Sequence, residues 1–489
     1  MKRILAFVLI LALALPLVAC GGGTSLVQEE TETFIRTTAE KTDPDAVTGE
    51  HDPTGFSAGF GRGKMTPTEP VPLAGYGNLD MRLSNRTLDD LYVTCVALSD
   101  GENKLLVLTS DMISTTSGMQ KFAGNYAEKH LGVPADHVFL CATHTHSGPA
   151  TSSDTGSWSK LFCEAVEKAM TDALADLDKT EVYVGSVLTE NLNFVRRYIN
   201  EDGSTSGDNY GRTDNRVAHE SEADREMGIV EFRRANQKSI ILVNWQAHPT
   251  ITGGMSKHDI SADYVGAFRK EAEKELDCRF AYFQGGAGNM NPRGSLPGET
   301  KYDVKTHGRK LYEALAEGLQ NMEKAETGPI LSTQTTITLE NERSAPEGYT
   351  GEGAGEIMAA FNSGNTSLAK ELCLKYGINS PYAISAYGAR ASRPKTEDVP
   401  IGAACAGDLG FVFAPYEMFD TTGRFIKDHS PFKRTIVCEV SMGSYSYMPT
   451  ELAWDNGGYE VDQTHFVRGT AEKLGDAYVE MLTELKTKQ

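Results

Sequence analysis

Short apolar runs that stop abruptly at polar residues recur along this chain, and their lengths restrict it to alternating strands and helices. Residues 105–109 (LLVLT) stop at Asp111, and residues 137–142 (HVFLCA) lead straight into Thr143-His144-Thr145-His146-Ser147-Gly148-Pro149. Residues 239–245 stop at His248-Pro249, residues 279–283 at Gly285-Gly286-Ala287-Gly288, and residues 409–414 at Pro415-Tyr416-Glu417. Apolar runs of this length bounded by Gly and Pro read as buried strands. Residues 120–130, 160–177 and 304–322 place apolar side chains at helical spacing instead. The pattern predicts a mixed α/β fold, with β-sheets covered by helices. Gly59-Phe60-Gly61-Arg62-Gly63 lacks the strand-turn-helix setting of a nucleotide loop and reads as a turn. No internal repeat stands out.

The N-terminus carries an address. Lys2 and Arg3 precede an apolar stretch over residues 4–18, which ends in Leu17-Val18-Ala19-Cys20. The stretch is short for a membrane span, and its flanks read as a secretory signal over residues 1–19. The last four residues match a lipobox, so Cys20 is the expected lipidation site; an ordinary secreted protein with a free Cys20 is the alternative. Several acyl chains on one cysteine would anchor the chain stably to a membrane at the cell envelope. Residues 20–54 are rich in Gly, Thr, Glu and Asp, too polar to fold alone, and read as a tether. Residues 55–489 then form the folded domain.

A formal charge of −20 excludes a nucleic-acid partner, which needs clustered Lys and Arg. Seven cysteines follow Cys20, scattered and without a CxxC pair. They read mainly as buried thiols, with one disulfide left open.

The polar residues at the strand ends carry the chemistry. His144 and His146 are two apart, and on a strand such residues share a face. Both imidazoles could converge on one cation, or one could ligate while the other moves protons. His248 is followed by Pro249, and Glu417 follows a run apolar enough to be buried, where a carboxylate needs a cation or a hydrogen-bonding partner. Two histidines and a carboxylate form a known catalytic zinc set. The chain has no G-x-S-x-G elbow, which argues against a serine hydrolase of the α/β type.

Several stretches together resemble the neutral/alkaline, non-lysosomal ceramidases in their catalytic domain. These are Met65-Thr66-Pro67, Gly75-Tyr76, residues 143–149, residues 193–197, residues 244–249, residues 285–292, Pro415-Tyr416-Glu417 and Tyr447-Met448-Pro449-Thr450. The resemblance implies zinc ligands at His144, His248, Glu417 and a tyrosine, Tyr447, with Tyr445 as runner-up. It implies an acid/base role for His146 and substrate contact from Arg196 or Arg197. The activity implied is hydrolysis of an N-acyl amide by zinc-activated water, with a lipid-like or small acyl substrate. Other zinc hydrolase substrates, such as an ester, lactone or peptide, and a non-catalytic ligand-binding role are the alternatives. Asn291 stands where that family has a serine, and an asparagine can hydrogen-bond a carbonyl or oxyanion but is not a nucleophile. Few residues follow Tyr459, where ceramidases carry a further β-sandwich domain.

Overall fold

Strands β1 (Ser57–Lys64), β2 (Tyr92–Ser99) and β3 (Lys104–Ser110) pair antiparallel, and β4 (Val138–Ala142) is added parallel to β3. A parallel neighbour requires a crossover, and helix α1 (Ser117–Tyr126) lies within it; α2 (Ser157–Ala175) follows β4. This unit of three strands, helix, strand and helix occurs twice more. In the second, β5 (Asp178–Leu188), β6 (Glu226–Arg234) and β7 (Ile240–Trp245) are antiparallel, α3 (Asp263–Leu276) crosses to a parallel β8 (Arg279–Gln284), and α4 (Val304–Gly318) closes the unit. A short β9 (Glu323–Ala325) pairs with β5. In the third, β10 (Ile330–Glu340) is followed by an excursion of three helices, α5 (Ala354–Asn362), α6 (Thr366–Tyr376) and α7 (Pro381–Arg390). Then come β11 (Thr396–Ala406) and β12 (Leu409–Phe413), antiparallel in turn, α8 (Asp420–His429), a parallel β13 (Arg434–Cys438) and α9 (Thr470–Lys488). The computed structural model describes residues 47–76, 82–151, 157–208, 211 and 213–489. The chain is thus a threefold repeat of one topology. The repetition lies in strand direction and connection, not in residue identity, which corrects the reading of an unrepeated chain.

The first two units share one sheet, ordered β8-β7-β6-β5-β1-β2-β3-β4 with β9 at the side of β5. They join through only two residue pairs, Ser57↔Lys179 and Ala58↔Asp178. The third unit is a separate four-stranded sheet. One face of each unit contributes to a common core, with Phe60 and Phe139 from the first, Phe232 and Phe283 from the second, and Phe411 and Phe413 from the third. Phe139 and Phe413 stack with centroids 3.8 Å apart. The other face of each sheet is covered by its own helices: Val166 and Met170 of α2, Phe268 of α3 and Leu311 of α4, Ile426 of α8 and Leu474 of α9. Sheets with one face on a shared core and the other under helices are a stable way to bury both faces.

The glycine-rich segment at residues 59–63 is a strand, not a turn. It forms the middle of β1, and Gly59, Gly61 and Gly63 face α2 so closely that a Cβ would lie 2.0, 2.1 and 2.1 Å from the carbonyl oxygens of Ala173, Ala169 and Ala165. Glycines here admit a helix backbone against the sheet. The alternating Phe60 and Arg62 are buried, and Arg62 pairs with Glu273 at 2.5 Å.

Other expectations hold with shifted ends. The helix expected at 120–130 starts earlier, at Ser117, because the Thr116 side chain accepts from the Met119 N–H and caps it. The helix expected over 304–322 ends at Gly318 and tightens into a short 3₁₀ turn. All seven cysteines after Cys20 are free thiols, six of them buried. Among the described residues no helix is long and apolar enough to cross a membrane. Cys20 and the signal segment lie outside the described residues. The last residues of the segment read as a tether are tied down: the Asp52 N–H donates to the Asp178 carboxylate (2.8 Å), and the Gln237 amide donates to the carbonyls of Thr48 and Glu50 (3.1 Å each).

Candidate metal centre

These candidate site residues sit on the segments that leave the third or fourth strand of a unit. His144 and His146 follow β4, His248 follows β7, Asn291 lies beyond β8, Glu417 follows β12, and Tyr447 follows β13. Loops at strand ends, held by a rigid sheet, are where α/β folds gather functional groups. The histidine pair meets for a reason other than the one its spacing suggests. β4 ends at Ala142, and His144 adopts a left-handed backbone with φ 70°. That conformation is uncommon for a non-glycine residue and clusters at functional sites. The kink is held by the His144 N–H donating to the Met112 carbonyl and the His146 N–H to that of Pro249.

The three imidazoles converge. One ring nitrogen each of His144, His146 and His248 lies within 4.8 Å of the others, and all three residues are buried. His146 Nε2 is 3.4 Å from His144 Nε2, and Glu417 Oε2 lies 3.4 Å from His144 Nε2 and 3.2 Å from His248 Nε2. His144 Nδ1 meets the Ile113 carbonyl at 2.6 Å and His248 Nδ1 the Ala287 carbonyl at 2.8 Å. A carbonyl only accepts, so both Nδ1 atoms carry the proton and both Nε2 atoms turn lone pairs inward. Two imidazole lone pairs and a carboxylate oxygen then face one another with no hydrogen between them. An extra proton on His248 is disfavoured: burial, with Arg196 and His144 nearby, holds its pKa down to about 4. Burial, with His144 and His248 nearby, also holds His146 well below its usual range. This donor set fits a divalent cation with nitrogen and oxygen preference, and the Nδ1–carbonyl bonds are the outer-shell contacts that orient histidine ligands.

Tyr447, and not Tyr445, lies against Glu417. Glu417 and Met418 pair in parallel with Tyr447 and Met448. Arg196 Nη2 donates to the Tyr447 hydroxyl at 3.2 Å, and burial followed by the Glu417 charge pushes the phenol well above its usual pKa. The Tyr445 hydroxyl instead reaches the Asp398 carbonyl at 3.4 Å. The two adjacent arginines also divide. Arg197 is fully buried between Glu220 (2.6 Å) and Glu460 (2.9 Å). Arg196 uses Nε on Glu460 (2.9 Å) and Nη2 on Gly288 and Tyr447, and its side chain lines the cavity beside the histidines. Burial disfavours its charge, but Tyr447, Glu460 and Glu417 more than compensate, and its pKa is raised.

The cavity beside the cluster has a volume of about 450 Å³ and is lined by His146, Arg196, Asn291, Tyr447 and Tyr459, among others. The Asn291 amide donates to Asp208, which fixes its orientation and occupies one of its two N–H bonds. Tyr76 forms another wall, stacking edge-on against His146 with centroids 5.2 Å apart. Gly75 makes that approach feasible, because a Cβ there would lie 2.5 Å from the His146 ring. Sequence reasoning did not single out Glu460, Asp208 or Tyr459 as site residues. The one available signal was Arg196-Arg197 itself, since two buried arginines require carboxylates.

No protein-family model matches the chain. It is 24% identical over 270 residues to the neutral ceramidase of Pseudomonas aeruginosa, a match covering 50% of this chain and 38% of that protein. A solved structure of a ceramidase complexed with C2 superposes with a TM-score of 0.67 at 18% identity, covering 89% of this chain and 76% of the other. The crystal structure of neutral ceramidase from Pseudomonas aeruginosa gives 0.66 at 18% identity, over 89% and 75%. The mixed α/β fold is therefore neutral-ceramidase-like, and the sequence match takes in well under half of the curated relative.

Proposed function

We propose that the chain is a metal-dependent hydrolase of an N-acyl amide bond, with zinc held by His144, His248, Glu417 and Tyr447. The observation that supports it is the inward convergence of two lone-pair nitrogens and a carboxylate oxygen at the edge of a cavity. The likeness of the fold to neutral ceramidase supports the same reading. Bound zinc would supply Lewis acidity, polarising a carbonyl and making water a better nucleophile.

The chain's own residues do the remainder. His146 is kept neutral, so its ring can take the proton of the attacking water at Nε2, the atom nearest the cluster, and return it to the leaving nitrogen. Arg196 is fixed through Nε and Nη2, which leaves Nη1, without a partner among the described residues, to hold a polar substrate atom. Asn291, locked by Asp208, offers its carbonyl and remaining N–H to orient the amide. Tyr76 and Tyr459 wall the cavity and limit the water that reaches it. Cys20 would carry the lipid that holds the enzyme to a membrane at the cell envelope.

Asn291 in place of a serine favours a second reading, a ligand-binding surface lipoprotein that keeps the fold without turnover. Metal analysis of the purified chain, together with hydrolysis of short and long N-acyl amides with and without chelator, separates the two. The hydrolase reading expects one zinc per chain and chelator-sensitive cleavage. Absence of metal, or metal retained in both His144→Ala and His248→Ala, would sink the zinc site; metal bound without cleavage of any acyl substrate would favour the second reading.

A further inference from the structure

The cavity beside the cluster holds more positive charge than its surroundings use. Arg196, Arg293 and Lys301 all line it, the last two from the one loop that leads into α4. Arg293 Nε is buried with no hydrogen-bond partner, and neither Arg293 nor Lys301 forms an ion pair among the described residues. A buried guanidinium nitrogen without a partner is uncommon and marks a side chain whose polar needs its surroundings do not meet. The nearby acids are already engaged. Asp208, the carboxylate lining the cavity, binds Arg216 at 3.1 Å and also takes the Asn291 amide. Glu299 pairs with His219 at 2.5 Å, and Glu460 with Arg196 and Arg197. In a chain of net charge −20, one cavity with two uncompensated cations is a local reversal of sign. Such a cleft focuses its field on an incoming anion.

We infer that the substrate carries an anionic group, a carboxylate, sulfonate or phosphate, held by Arg293 and Lys301 in the same cavity as the scissile amide. The inference rests on the proposed amidase reading and narrows it from neutral N-acyl amides to acidic ones. The anion could belong to a soluble N-acyl amino acid or to the headgroup of an acidic lipid. Arginine suits either, because its planar fork matches carboxylate and phosphate oxygens.

The test measures binding apart from turnover. Two uncleavable sulfonamides, N-dodecylsulfonyl glycine and N-dodecylsulfonyl ethanolamine, differ in that charge and are titrated calorimetrically into the zinc-loaded full chain. The acidic compound is expected to bind about tenfold more tightly at low salt, with the advantage shrinking as salt rises. In the Arg293→Gln/Lys301→Gln double variant the advantage is expected to vanish while the neutral compound binds as before. Lys301→Gln alone, at an exposed position, keeps the test open if the double variant folds poorly, and is expected to lose part of the advantage. Equal binding of both compounds by the native chain, or a preference that survives in the folded variants, overturns the inference. A hexyl analogue in solution against a hexadecyl analogue in phosphatidylcholine vesicles distinguishes the soluble source from the lipid one. Cleavage of the matching carboxamides is measured separately: if none is cleaved, the amidase reading falls while the binding preference still decides the anion site.

Discussion

Glu417 and Tyr447 face each other across a two-residue parallel ladder, so the strand ends of β12 and β13 set the phenol against the carboxylate. The same phenol receives a hydrogen bond from Arg196. Tyr447→Phe keeps the ring and removes the oxygen that joins these two groups. Zinc affinity is expected to fall by at least about 10- to 100-fold, the range seen when a contact supporting a metal site is lost. Competition with a chromogenic chelator measures it, and Tyr445→Phe serves as the control that should leave affinity unchanged.

Removing the metal should be visible in stability. A ligand bound at 100 to 1,000 times its dissociation constant stabilises by about 3–4 kcal/mol. For a chain of this size that corresponds to a Tm shift of a few degrees. Chelator is expected to lower Tm, zinc to restore it, and His248→Ala to be insensitive to both. A melt unmoved by chelator would contradict the centre.

The contact of β1 with α2 leaves no room for a side chain. Gly61→Ala would place a Cβ 2.1 Å from the Ala169 carbonyl oxygen, and backbone on both sides must move to relieve it. Overpacking of this kind typically costs about 1–3 kcal/mol and more where backbone is struck, so a loss at the top of that range is expected. Urea unfolding of the variant checks it.

Arg197 is buried between two carboxylates, Glu220 and Glu460. Arg197→Ala leaves both without their shared cation, a change expected to cost about 3–5 kcal/mol. Arg196→Ala should act differently. It shares Glu460 but lines the cavity, so activity is expected to fall further than stability would explain. Paired melts and kinetics of the two variants separate the roles.

His307 sets a pH dependence away from the metal centre. Both its ring nitrogens are buried without partners, and burial, with Arg293 nearby, holds it down to about 3. In the unfolded chain it titrates near 6.5. Below that pH the unfolded state takes a proton that the folded state refuses. The stability is therefore complete above pH ~6.5 and is lost progressively as pH falls toward ~3. His307→Phe, in its pocket beside Trp245 and Tyr264, should remove about 1.4 kcal/mol per pH unit of slope over that window. Denaturant titrations at pH 4, 5 and 6 measure the slope.

How much of this was legible in the sequence varies with the distance over which each feature is decided. The apolar runs at 105–109, 137–142, 239–245, 279–283 and 409–414 are all strands, because a short run of branched and aromatic residues bounded by breakers is a local signal. β1 was misread for the same reason. Glycine at every second position erases the apolar alternation that marks a strand, and what requires it is a helix more than a hundred residues away. The convergence of His144, His248 and Glu417 was not readable from spacing, since three units in two sheets must pack before their loops meet. Asn244 shows how that packing is fixed: its side chain accepts from the Val437 N–H (3.0 Å) and donates to the Val437 carbonyl (2.9 Å), joining the second unit to the third. Nothing local to Asn244 signals a partner so far along the chain. The left-handed His144 was likewise hidden, because the turn it makes depends on the Met112 and Pro249 carbonyls.

The threefold topology has a consequence for the order in which the centre can come into being. The first unit supplies His144 and His146, the second His248, and the third Glu417 and Tyr447. No unit owns a full ligand set, and translation delivers the last member only after all but the final helices have been made. Ion capture by the whole proposed set would therefore wait for the third unit to dock, and a truncated or half-assembled chain would have no finished centre to load. Metal occupancy would serve as a certificate of completed assembly, readable on a single sample without any substrate.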